Sequence, residues 1–368
     1  MIHLSAAVRQ NLLSLQGTAD LMSKTQNRLA TGLKVNSALD NPNSFFTASA
    51  LNNRASDLSS LLDDMGQGVQ TLKAADDGIQ AITKLVEAAK GKANQALQSN
   101  KVADRRRFAQ EYNDLLTQIE DLAKDAGYKG KNLLAGTGND LSVIFNEDGT
   151  SSVTIDAVDY TDTSGALGLA DLTVGTSGTL TISEAALEAG DESNDTLTVT
   201  VGGSNVATID YGVGTTSEDV ITALNAIEGI TASTDGTDIT VTSDNGNIVI
   251  DDSDTTADLA TQTGTGYVEG TFDTDVSISA SLETLNGALS TLRSQASTFG
   301  TNLTVVENRQ NFTKRLINTL EEGAGKLTLA DTNEEGANLL ALQTRQQLAS
   351  TSLSFASQAD QAVLRLFG

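Results

Sequence analysis

Residues 28–44 read RLATGLKVNSALDNPNS, and the break in helical pattern inside this stretch decides how the whole chain is laid out. Upstream, Val8, Leu12, Leu15, Ala19, Met22, Gln26, Leu29 and Leu33 recur at alternating steps of four and three, the spacing of a coiled-coil seam with one polar member. The stretch then supplies Gly32, a residue type unfavourable inside a helix by about 1 kcal/mol. Asn36, Asp40, Asn41 and Pro42, the single proline of the chain, follow. Such residues end one helix and permit the next to start. The sequence therefore predicts a helix ending near Lys34, another beginning near Pro42, and a hinge marked by Gly32, Asn36, Asp40 and Pro42.

Helical seams continue on both sides of the chain's middle. Leu51, Ala55, Leu58, Leu62, Met65, Val69, Leu72, Ile79 and Val86 predict a second helix of some fifty residues. Phe108, Tyr112, Leu115, Ile119, Leu122 and Ala126 predict a third, closed by Gly127 and Gly130. Near the other end, Ile278, Leu282, Leu285, Leu289, Leu292, Ala296, Phe299, Leu303, Val306, Gln310, Thr313, Ile317 and Leu320 hold one register for six heptads. The last seam runs Leu339, Leu342, Gln346, Ala349, Leu353, Ala356, Asp360, Val363 and Phe367. Each terminal helix offers an apolar stripe to the other.

Between the helical flanks the period changes to two. LSVIF, the turn NEDG and SVTIDAV read as a hairpin; DTLTVTV, NVATIDY, the helix candidate SEDVITALNAI, ITAST, TDITVTS and GNIVIDD read as a β-rich unit with one helix. Charge divides along the same line. From Asn132 to Leu292 there is no Lys, Arg or His but there are 27 Asp and Glu, while the flanks hold all 23 Lys and Arg against the remaining 21 acids. So acidic a middle disfavours nucleic acid, which needs a basic surface.

At 368 residues the chain exceeds a single ordinary core. With no cysteine it has no disulfide framework, thiolate metal site or cysteine nucleophile. No apolar run approaches the roughly 20 residues of a membrane span, and MIHLSAAVRQN lacks the basic and apolar regions of a cleaved secretory signal. Export by another route stays open. Catalysis finds no support: Asp251, Asp252 and Asp254 sit in a polar run that gives no burial to shift a pKa, and His3, the only histidine, has no Ser or Asp arranged around it. NEDGT, TDGTD and SDNGN could suggest calcium, but none completes a known loop, and Asx turns account for the same residues. No catalytic, cofactor or metal residue is assigned. Arg105, Arg106 and Arg107 fan over about 200° of a helix, so they form no single stripe; solvated charge and contacts to acidic faces of neighbouring copies are the roles expected of them.

With these patterns in place, the flanks resemble bacterial flagellin, the flagellar filament subunit. RLATGLKVNSALDNPNS is similar to that family's N-terminal segment through Arg28, Leu29, Thr31, Gly32, Asn36, Ser37, Ala38 and Asp40. FAQEYNDLLTQIEDLAKDAGYKGKNLL resembles the family's third helix and its exit through Glu111, Leu115, Ile119, Ala123, Tyr128, Gly130, Leu133 and Leu134. SGALGLADLTV resembles the end of the N-terminal rod portion, and NRQNFTKRLINTLEEGAGKLTLADTNEEGANLLALQTRQQLAS the return rod, its hinge and the final helix. Residues 195–251 resemble the repeat-like insert of many flagellin central regions.

The resemblance implies an α+β multidomain chain: a long antiparallel α-helical coiled-coil or bundle rod built from both chain ends, with a β-rich central insert. It implies three parts: residues 1–40 with 329–368 as the inner tube of a filament, 41–175 with 276–328 as a helical rod carrying the hairpin, and 176–275 as an acidic outer domain. It further implies self-assembly through Val8, Leu12, Leu15, Met22, Leu29, Leu339, Leu342, Leu353, Val363 and Phe367, no catalysis, and secretion to the extracellular flagellum. The implied partners are further copies of the chain, the flagellar export machinery with a chaperone, and filament cap and hook-junction proteins. A hook–filament junction protein, or a secreted adhesin or hydrolase with coiled-coil flanks, are the rival readings.

Overall fold

The computed structural model describes residues 6–187, 196–210, 212, 214–252 and 261–367. The described helices are α1 (Ala6–Thr31), α2 (Pro42–Gln98), α3 (Val102–Asp125), the short α4 (Glu184–Leu187), α5 (Ser217–Asn225), α6 (Asp275–Thr328) and α7 (Thr332–Phe367). The described strands are β1 (Leu141–Ile144), β2 (Ser152–Ile155), β3 (Gly178–Ser183), β4 (Thr196–Val201), β5 (Ser204–Asp210), β6 (Ile230–Thr234), β7 (Asp238–Ser243), β8 (Ile248–Asp252) and β9 (Gln262–Thr263). The fold is α+β, with long helices at both ends of the chain and a β-rich middle.

Two compact units are present. One comprises residues 1–66, 144–152 and 307–368; the other comprises residues 67–143 and 153–306. The divisions fall inside α2 and α6, because the units follow where contacts concentrate, whereas the three-part reading followed where helices stop and the period changes.

In the first unit, Ala55, Leu58 and Leu320 form a buried cluster flanked by Leu51, Leu61, Leu316 and Ile317. These residues come from α2 and α6, whose apolar positions recur at the heptad spacing. The inward residues of α6 match the seam read from the sequence: Ile278, Leu285, Leu289, Leu292, Phe299, Val306, Thr313 and Leu320 are buried.

In the second unit, α3 buries Arg105, Arg106, Ala109, Tyr112, Leu116, Ile119 and Ala123. The expected stripe of Phe108, Leu115 and Leu122 flanks this line rather than occupying it. Gly78 of α2 explains part of the close packing. A Cβ there would lie 2.7 Å from the Cβ of Ala126 and 2.8 Å from Cδ1 of Leu134.

The β-rich insert holds two sheets, ordered β3-β7-β6 and β5-β4-β8-β9, with antiparallel pairings throughout. Strict alternation in β4 and β7 puts Leu197, Val199, Ile239 and Val241 inward, while threonines line the other face. Val220 and Leu224 of α5 complete one core drawn from residues 180 to 250. Thr216 caps α5 by accepting the Asp219 amide, and the Asp219 carboxylate returns the interaction to the Thr216 backbone amide at 3.0 Å. Strand β3 and the short β9 were not legible in the sequence; each lies at the edge of its sheet, and β9 has only two residues.

Candidate assembly interface

α1 and α7 are antiparallel. Asn11 Nδ2 donates to Ser352 Oγ at 3.4 Å near one end, and Arg28 Nη1 meets Glu335 Oε1 at 2.9 Å near the other. Along α1 the covered positions are Val8, Asn11, Leu15, Thr18, Met22, Thr25 and Leu29. The expected seam had placed Leu12, Ala19 and Gln26 where Asn11, Thr18 and Thr25 stand; those three are exposed. Thr18 fits because its hydroxyl donates to the Ser14 carbonyl at 2.8 Å, so only its methyl needs an apolar partner. Along α7 the half-buried positions Leu339, Leu342, Gln346, Ala349, Leu353 and Ala356 fall where the sequence put them. The side chains of Asp360, Val363 and Phe367 lie outside the described residues, as do His3 and Asp254.

This pairing covers one face of each helix and leaves large apolar groups outside. Leu340, Leu348 and Phe355 of α7 are 66%, 67% and 66% exposed, and at 100° per residue they lie within about 80° of one another. Leu13 and Leu21 of α1 repeat the feature, and Leu12 is exposed on the opposite side of the seam. Scattered exposed leucines are ordinary, but an aligned set on a narrow helix pair marks a surface awaiting a partner.

The stretch quoted at the outset forms the joint below this pair. Gly32, at φ +68°, takes the left-handed conformation that ends α1 at Thr31, three residues before the expected stop. Leu33 then pairs with Leu329 in an antiparallel bridge, and the amides of Lys34 and Val35 both donate to the Thr328 carbonyl, at 2.8 and 3.3 Å. The Ala330 amide donates back to Gly32 at 2.9 Å. Asp40 accepts the amides of Ser37 and Asn36 at 3.0 and 3.1 Å. These amides, Ser37 first, hold its carboxyl below the usual carboxylate range. Asn41 accepts the Ser44 amide at 3.1 Å, and Pro42 opens α2, where a missing N–H leaves nothing unpaired.

The return segment is built in the same manner. Asp331 Oδ1 accepts the amides of Asn333 and Glu334 and so caps α7, while Lys34 Nζ donates to the Lys326 carbonyl at 2.9 Å near the end of α6. Around these ties lies an open polar cavity of about 590 Å³ lined by residues of both signs, among them Arg28, Lys34, Asp40, Asp331 and Glu335. The joint is therefore hydrogen-bonded on both strands, with Val35 buried beside an open polar cavity.

The three arginines separate. Arg105 and Arg106 are buried, and each is engaged within its own chain: Arg105 Nη2 lies 2.5 Å from Asp275 Oδ1, and Arg106 Nη2 lies 2.9 Å from Asp273 Oδ2. Burial and pairing inside the chain differ from the solvated charge expected of these two residues. Arg107 is exposed beside Asp104 and Glu111 and remains available. The acidic partners of Arg105 and Arg106 stand more than 130 residues away in sequence, so no local signal could have found them. At the acidic turns, Asp235 Oδ1 accepts the amides of Thr237 and Asp238, both at 2.9 Å, and Asn146 accepts that of Ser151; turn geometry uses the side chains that had suggested calcium.

Helical ends closed on each other, outward apolar residues and a separately cored insert define a structural subunit of the self-associating kind. The chain belongs to the bacterial flagellin family: residues 3–139 match the bacterial flagellin N-terminal helical region and residues 282–367 the bacterial flagellin C-terminal helical region. It is similar to Flagellin A of Rhizobium meliloti, 28% identical over 97% of this chain and 96% of that one. It is also similar to the Flagellin of Brucella melitensis biotype 1, 24% identical over 97% and 95%. A solved structure of FliC from Burkholderia pseudomallei matches 77% of this chain and 99% of that one at 18% identity and a TM-score of 0.24, too low for a fold to be argued from it.

Proposed function

We propose that the chain is the structural subunit that polymerises into the bacterial flagellar filament and so serves swimming motility. Family membership supports this directly. The observation that carries it in the structure is the aligned, exposed set of Leu340, Leu348 and Phe355 on a helix pair whose other face is already closed. Further copies of the same chain bury that set, and the exposed Leu12, Leu13 and Leu21 with it. Val8, Leu15, Met22, Leu29, Leu339, Leu342 and Leu353 hold the pair together so that both helices present their outer faces at once; Val363 and Phe367 extend the same stripe in sequence.

The joint at Gly32, Asn36, Asp40 and Pro42 lets the terminal pair take up its place in the polymer without unpicking α2 and α6. In this reading residues 1–40 with 329–368 line the inner tube, 41–175 with 276–328 surround it, and 176–275 face outward. The protein performs no chemistry of its own. It is secreted to the extracellular flagellum, meeting the export machinery, a chaperone, and the cap and hook-junction proteins on the way. No helix among the described residues is long and apolar enough to cross a membrane.

Electron microscopy of the purified protein tests this. Long helical polymers are expected; a protein that stays monomeric under every condition, or forms only short stubs on preformed ends, would point to a junction protein instead. Limited proteolysis sharpens it, because free monomer should be trimmed at both ends down to the joint while the polymer resists.

A further inference from the structure

The insert has its own apolar core, built from residues 180 to 250 with Ala207, Ile221, Ala223 and Ile227 packed on it, and no residue of α2, α3 or α6 enters that core. What connects it to the helices is narrow. The outgoing and returning chains run side by side, bridged at Thr176 with Val268 and at Thr179 with Thr265. A two-stranded ribbon is marginally stable at best on its own, so a third element that holds both arms of this neck strengthens it.

One side chain of α3 reaches both arms of this neck. Arg106 of α3 donates from Nη2 to Asp273 Oδ2 at 2.9 Å on the returning chain, and from Nη1 to Ser177 Oγ at 3.1 Å on the outgoing chain. Its Nη2 also donates to the Asp244 carbonyl at 2.9 Å, at the end of β7. Ser177 Oγ in turn donates to Asp244 Oδ1 at 2.5 Å, and the Arg106 guanidinium lies 5.7 Å from the centre of the Tyr267 ring. The space is reserved by two glycines: a Cβ on Gly175 would lie 2.6 Å from Arg106 Nε, and one on Gly270 would lie 2.8 Å from Asp273 Oδ1.

The charge pattern gives the contact its weight. Residues 132–292 carry 27 acids and no basic residue, so the insert cannot neutralise Asp244 or Asp273 from within. The cation must come from outside, and the planar five-donor guanidinium can serve several acceptors at once, as an ammonium cannot. We propose that Arg106 is an electrostatic latch which fixes the orientation of the β-rich insert on α3, holding outgoing chain, returning chain and β7 to one helix.

The absence of cysteine makes the test direct. Spin labels at Gln118→Cys on α3 and Ser233→Cys on β6, both exposed positions, report the distance between helix and insert in the full-length monomer. A single narrow distribution is expected with Arg106 present. Arg106→Gln should broaden it about twofold or split it, as a fixed orientation becomes an ensemble, with the strand signal in circular dichroism unchanged. Arg106→Lys should give partial broadening, and Arg107→Gln none. Should Arg106→Gln unfold the insert, the double variant Ser177→Ala with Asp244→Asn decides. It removes the side-chain acceptors of the outer arm while leaving Arg106 on Asp273 and on the Asp244 carbonyl, and it should broaden the distribution, less than Arg106→Gln does, with the insert still folded. A distribution that stays narrow in whichever of these variants keeps its strands overturns the latch.

Discussion

The terminal pair α1/α7 and the β-rich insert solve the same problem in opposite ways. The insert closes its apolar residues inside itself: Leu197, Val199, Val241 and Ile248 are fully buried, and what faces outward is threonine, serine and acid. The terminal pair has only Val8 buried among its described apolar residues, and that one incompletely; it seats Thr18 and Thr25 in its seam and leaves Leu13, Leu348 and Phe355 in solvent. A stretch of chain can thus be complete or incomplete as a folding unit, and the direction in which large apolar groups point shows which. A unit whose burial is unfinished needs more copies of itself.

The largest effect should come from charging the unfinished face. Leu348→Asp with Phe355→Asp is expected to abolish polymer in electron micrographs without loss of monomer helix. Removing residues 180–264 and joining Thr179 to Thr265 by a short turn should leave polymers growing, because those residues already pair. Polymer loss in the second variant and retention in the first would reverse the comparison.

Next in size, Leu197→Ala should destabilise the insert by about 2–5 kcal/mol, the range for a truncated core leucine. The effect should appear as an earlier melting step for the strand signal alone. Smaller again, Arg28→Met leaves the buried Glu335 carboxylate without its cation. Since the Arg28 side chain is 44% exposed, the loss should be roughly 1 kcal/mol. It should fall on α1 and α7, read as faster amide exchange in those two helices with none in the insert.

The smallest effect is a matter of acid. Asp219 is held below the usual carboxylate range by the Thr216 hydroxyl, then by the Thr216 amide. A depressed folded pKa contributes stability that is fully present above the unfolded value, about 3.9, and is lost as pH falls through the folded value. Insert stability should therefore dip below pH 4 in the parent and dip less in Asp219→Asn, measured as urea midpoints across that range.

How far the sequence revealed all this depended on whether neighbours in space were neighbours in the chain. Alternation in DTLTVTV and TDITVTS announced β4 and β7, since the period of a strand is a local property. The six-heptad seam of α6 was equally plain. The phase of α1 was not, because Leu12 outranks Asn11 in hydrophobicity and Gln26 competes evenly with Thr25; the partner helix more than 300 residues away settles which side is covered. Leu12 and Leu13, for all their hydrophobicity, stay exposed on the single chain. Arg105 and Arg106 read as surface charge because a run of arginines gives no hint that aspartates from far along the chain will close over two of them.

The bridged neck at Thr176 and Thr179 also has a mechanical meaning. Chain enters and leaves the insert at one place, so tension carried along α2 and α6 passes by the insert rather than through it. The insert is a side branch, off the line of load and not in series with it. Its yield force then sets no limit on how hard the helices can be pulled.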